Sequence, residues 1–151
     1  MKQPEINNPI IIPEASIITP RIDTTWLPHV QGSIVHGTIG LGLDRGLCYT
    51  IGRFVFIHVH VTITSISGSP SGNLQVTGVP FSPEYETPLT LGITSYMGVD
   101  LNEKYFFPII WGNGIIEFLS CGIGPEQAID ISELYTSATL QFAGSYIVAE
   151  A

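Results

Sequence analysis

The stretch from Gly52 to Ile66, GRFVFIHVHVTITSI, admits two readings: a His-x-His metal motif, or a long strand whose histidines share a face. Successive side chains of a β-strand point to opposite faces. On that rule Val55, Ile57, Val59, Val61 and Ile63 share one face, an unbroken β-branched set suited to a core. Phe54, Phe56, His58, His60, Thr62 and Thr64 share the other face. Two phenylalanines need cover, whereas the threonines are comfortable in water. A half-apolar outer face on a central strand is the pattern of a contact between subunits.

The metal reading is weaker. His58 and His60 project about 7 Å apart, and a structural zinc site needs about four ligands. No carboxylate lies within the strand, and nothing in the sequence places His29 or His36 beside it. Only a threefold axis, gathering the imidazoles of three chains, would change that count. No metal or cofactor is assigned.

Composition narrows the function classes. The 151 residues suffice for one domain with a core of its own. Hydrophobic residues make up 44% and charged residues 12%, which is not a disordered composition. The net charge is -8, and the five basic residues, Lys2, Arg21, Arg45, Arg53 and Lys104, form no cluster. Nucleic acid and anionic membranes are therefore poor partners. No apolar run approaches the roughly 18 residues that span a bilayer. The N-terminus lacks the basic and apolar regions of a signal peptide. Cys48 and Cys121 fit no zinc spacing and read as small buried hydrophobes.

Residues 1–30 differ from the rest. Pro4, Pro9, Pro13, Pro20 and Pro28 alternate with isoleucine-rich stretches, and proline at this density blocks helix and central strand alike. The segment is too apolar for a solvated tail. It reads as an extended assembly arm, with Ile10, Ile11, Ile12, Ile17 and Ile18 as its candidate contacts. Residues 31–151 read as one β-domain. Short runs rich in Ile, Val, Thr, Phe and Tyr alternate with Gly, Pro, Asn and Ser. GPEQAIDISELY, from Gly124 to Tyr135, is the one place for a helical turn. The expectation is all-β: an antiparallel β-sandwich or jelly roll of about eight strands.

Catalytic constellations are weak. GLGLDRG, Gly40 to Gly46, has the wrong spacing for a dinucleotide loop. GSPSG, Gly68 to Gly72, is not a nucleophile elbow and reads as a hairpin turn. Glu84 with Glu86 and Asp100 with Glu103 could be glycosidase-like pairs, but loop carboxylates in an acidic chain are mostly solvation. Tyr85, Tyr96, Tyr105, Trp111 and Tyr135 could stack on sugar or simply pack. No catalytic residue is assigned, and the expectation is that the chain is not an enzyme.

Four stretches together resemble a β-sandwich module of bacteriophage virion proteins, especially tail-fibre tips. They are TTWLPHV, GLCYTIGRFVFIHVHVTI, SGNLQVTGVPF and LQFAGSYIVA. Gly46-x-x-Tyr49 is one residue longer than the module's Gly-x-Tyr, and Val79 stands where the module has leucine. Ser82 to Thr136 carries no part of the likeness. Gly52 and Gly78 take turn positions in this reading, and Pro80-Phe81 a strand exit that plugs the core.

Members of the module are usually trimers. The resemblance thus makes Phe54, Phe56, His58 and His60 candidate trimer contacts, and implies a virion protein made in the host bacterial cytoplasm. Two virion roles compete. The chain opens with Met, shows no shaft, and has a short apolar arm; these favour a trimeric capsid decoration (cement) subunit whose arm binds other virion proteins such as the major capsid protein. The alternative is a tail-fibre or receptor-binding tip that recognises a host-surface glycan or protein.

Overall fold

The computed structural model describes residues 21–23, 26–97, 105–122 and 124–148. Its centre is the stretch quoted above. β3 (Thr38–Ile51) and β4 (Phe54–Ser67) form an antiparallel hairpin of two 14-residue strands, turned by Gly52 and Arg53. The register sets Tyr49 beside Phe56, Leu47 beside His58 and Arg45 beside His60. Along β4 the β-branched face is buried, from Val55 at 0% exposure to Ile63 at 1%. β11 (Leu134–Ile147) pairs with the other edge of β4, setting Ile147 beside Phe54 and Gln141 beside His60. β1 (Arg21–Asp23) pairs with β3, and β7 (Thr90–Met97) closes the far edge against β11. The first sheet therefore runs β1-β3-β4-β11-β7.

A second antiparallel sheet faces it. Its strands are β2 (His29–Gly32), β5 (Leu74–Thr77), β6 (Thr87–Pro88), β8 (Tyr105–Ile110), β9 (Ile116–Gly122) and β10 (Gly124–Ala128). The order is β2-β5-β9-β8-β6, with β10 also paired to β9. One hydrophobic cluster joins the sheets: Val55, Ile57, Val59, Val61, Ile63, Leu140 and Phe142 from the first, and Leu74, Val76, Ile110, Ile116 and Phe118 from the second. Phe118 and Phe142 meet edge to face across the core, ring centroids 5.6 Å apart.

Eleven strands thus stand among the described residues where about eight were expected, because short pieces such as β1, β6 and β10 carry too little alternation to be read alone. The expected helical turn is a 3₁₀ turn, Ile131–Glu133, capped by the Asp130 side chain on the Ser132 amide at 2.8 Å. That amide holds the Asp130 carboxyl below its usual range. GSPSG is not a hairpin turn within a sheet: it carries the chain from β4 in one sheet to β5 in the other. Ser82 to Thr136, silent in sequence, supplies most of the second sheet. Of the stretch read as an arm, residues 21–23 form β1, and residues 26–30 bring Trp26 into the core and open β2. Residues 1–20, and with them Ile10, Ile11, Ile12, Ile17 and Ile18, lie outside the described residues.

Candidate functional site

The outer face of the first sheet is the most distinctive surface. Phe54 and Phe56 are 52% and 42% exposed. Register places Ile51 and Ile147 on either side of Phe54, and Tyr49 beside Phe56, with Leu47 next along β3. All six are exposed. Directly opposed residues in an antiparallel pair bring their Cβ atoms within about 5 Å, so the six side chains form one patch across three strands. Beyond Phe56 the chemistry changes. His58 is half-buried, with its Nε2 3.0 Å from Nε2 of Gln141. His60 lies in register with Arg45 and Gln141. The face is therefore apolar toward the β3–β4 turn and polar toward the middle of the strands.

The four residues singled out by alternation do share this face. Leu47, Tyr49, Ile51 and Ile147 complete its apolar half, and strand alternation alone could not find them. GLCYTIG shows two alternating sets but not which points outward; that follows only from register with β4.

At the turn end the patch meets a groove of about 290 Å³ lined by Phe54, Tyr85, Thr87, Ser145, Tyr146 and Ile147. A short polar staple holds it. Arg53 pairs through its guanidinium with Glu84, and its Nε donates to the Val148 carbonyl at 3.0 Å. The Val148 amide donates back to the Arg53 carbonyl at 3.0 Å, and the Glu84 amide to the Ile147 carbonyl at 2.8 Å. Tyr146 is buried behind the groove, and its hydroxyl donates to the Phe81 carbonyl at 2.8 Å. Burial, and secondarily the neighbouring Cys48, pushes the Tyr146 phenol well above its ordinary range, so it stays protonated. Phe81 packs against the core, as the strand-exit reading expected.

Other candidates fall elsewhere. Glu84 is engaged by Arg53 rather than paired with Glu86, while Asp100 and Glu103 lie outside the described residues. His29 and His36, placed nowhere by the sequence, line one cleft of about 370 Å³ with Thr38 and Thr77. Among the described residues no three His, Cys, Asp or Glu side chains gather as metal ligands would. Cys48 is buried in β3 and Cys121 half-buried in β9, in different sheets. Tyr85, Tyr105 and Tyr135 are exposed. The Trp111 indole donates to Glu117 at 3.0 Å, and Glu117 also accepts from Gln75 at 2.8 Å. Trp111 thus belongs to a polar ladder on the second sheet that no sequence spacing announced.

No family model and no curated protein matches the chain. Among solved structures it is similar to the Dettilon tailspike protein (gp208), at 18% sequence identity and a TM-score of 0.68. The match covers 86% of this chain and 24% of the tailspike, so the chain spans about a quarter of that protein's length. The likeness is one of fold: the two-sheet body described above also occurs inside a longer tailspike chain.

Proposed function

We propose that the chain is a bacteriophage virion structural protein and acts as a β-module of the tail, binding a host-surface glycan or protein and carrying out no catalytic step. The observation that carries this reading is the fold shared with a tailspike over 86% of the chain. Its coverage of only 24% of that tailspike suits a module that works with others, in this chain or beside it. The exposed apolar half of the first sheet supports assembly, because a contiguous patch of large apolar side chains on a free surface marks a contact site. A homotrimer joined through Phe54, Phe56, His58 and His60 is one form that assembly takes in this reading.

The Pro/Ile-rich N-terminal segment favours a second reading, a capsid decoration subunit anchored on the major capsid protein. The two separate in one experiment. Electron microscopy of intact particles carrying a gold-labelled C-terminal tag should show label at the tail. Label over the head would replace the tail reading with decoration, and particles without label would remove the virion assignment.

A further inference from the structure

The cleft that His29 and His36 share lies between β2, the end strand of the second sheet, and the first residues of β3. We propose that it binds one neutral sugar ring, which deepens the proposed function and rests on its glycan reading.

The first argument is the chemistry of the walls. Gln31, Thr38 and Thr77 line the cleft with the two histidines, and among the described residues no carboxylate, ammonium or guanidinium does. An anion finds no fixed positive charge there, on a chain of net charge -8, and a cation finds no carboxylate. Hydroxyls, amides and imidazoles can both donate and accept, as the hydroxyls of a sugar do. Gln31 gives an amide hydrogen to Gln75, which leaves its own oxygen to accept. The backbone adds a donor and an acceptor. Gly32 donates its N–H to the His36 carbonyl at 3.2 Å, so its polar groups point away from β5. Val30 lies two residues earlier, and alternation in an antiparallel ladder turns its N–H and C=O to the same side. Ile39 and Leu41 give the cleft an apolar wall for the C–H face of a ring, and its volume of about 370 Å³ is at the small end of ligand sites.

The second argument is independent of the lining. Trp26 is 3% exposed, and its Nε1 is the buried side-chain donor left without a hydrogen-bond partner among the described residues. Such a donor costs free energy until an oxygen reaches it. Gly78 directly follows Thr77, and the place a Cβ would take on it lies 3.3 Å from Trp26 Nε1 and 3.5 Å from the His29 ring. The indole N–H and the His29 wall of the cleft therefore flank the same piece of backbone, and a ring hydroxyl entering past His29 would accept from the indole.

Position suits the role. β3 runs about 40 Å from Thr38 at the cleft to Ile51 at the apolar patch. A body held through that patch keeps the cleft open to a ligand.

Proton–nitrogen correlation NMR of the full-length protein tests it. Each tryptophan gives one indole N–H signal, and a Trp111→Phe variant identifies the one from Trp26. The probes are the methyl glycosides of glucose, galactose and mannose, N-acetylglucosamine, and sodium acetate as a charged control. One of the neutral sugars should move the Trp26 signal saturably in the millimolar range. Thr38→Val and Thr77→Val should each weaken that binding about fivefold, the worth of one hydrogen bond, with the rest of the spectrum unchanged. No movement with any sugar overturns the proposal and leaves the indole N–H to water. Movement with acetate alone overturns it in favour of an anion site. Saturable movement that both valine variants leave untouched places the sugar elsewhere and overturns it too. Thr77 is half-buried and Thr38 exposed, so if Thr77→Val unfolds the chain, Thr38→Val makes the same comparison. Label at the head or the tail of a particle bears only on the virion position, so that reading and this site fail separately.

Discussion

Gly46 lies flush against the Trp26 indole: a Cβ added there would come within 2.5 Å of the ring. On another side of the same indole Gly78 holds φ at +95°, and its Cβ would meet the Leu27 carbonyl at 2.7 Å and Trp26 Nε1 at 3.3 Å. The Trp-x-Pro, Gly-x-x-Tyr and Gly-Val-Pro-Phe pieces, far apart in sequence, therefore meet at one buried tryptophan. Their residues were legible as motif positions, but their shared contact was not, because no local pattern records it. Gly46→Ala should destabilise the fold by about 1–3 kcal/mol through overpacking, measurable by urea denaturation followed on tryptophan fluorescence. Tyr146→Phe removes the bond to the Phe81 carbonyl and should cost about 1 kcal/mol at neutral pH. Its pH signature has a fixed sign. The phenol is raised in the folded state, so its contribution is complete below about pH 10, the unfolded value, and is lost as pH climbs toward the folded one. Urea midpoints across alkaline pH should fall more steeply for the native protein than for the variant.

At the scale of elements, β4 was the most legible part of the chain, since Val55 to Ile63 alternate without interruption and all five are buried. Its partners were harder. The outer face became a surface only when register brought Tyr49 and Ile147 beside the phenylalanines. GSPSG showed a turn, but turn chemistry does not say whether the next strand stays in the sheet or crosses to another. The staple at the β3–β4 turn was invisible in sequence, because Arg53, Glu84 and Val148 are separated by 31 and 95 residues. Arg53→Ala should lower stability by about 1–2 kcal/mol, as it loses a charge-assisted bond to a backbone carbonyl together with the ion pair. Glu84→Gln should cost less than about 1 kcal/mol, since the pair is partly exposed. Thermal unfolding of both variants and their double mutant would separate the two contributions.

At the scale of the molecule, the two sheets stand or fall together on the core between them. Phe118→Ala opens a cavity against Phe142 and should cost about 3–5 kcal/mol, read as a shift in urea midpoint with an unchanged slope. The all-β class was legible from composition and punctuation, yet the second sheet was not, because its short strands owe their place to nonlocal pairing rather than to alternation. The pairings of β1 and β11 also govern how the body answers a pull. β1 begins with Arg21 beside Thr50, and β11 ends with Ile147 beside Phe54, so these two strand ends lie at one pole, by the β3–β4 turn. The loop from Gly68 to Pro70, after Ser67, lies at the opposite pole. Tension between the two ends would open the ladders of β1 and β11 one hydrogen bond after another instead of loading them all in parallel. Single-molecule stretching should therefore find a low rupture force. Those two ladders yield in sequence, and the loop from Gly68 to Pro70 lies farthest from the point of loading.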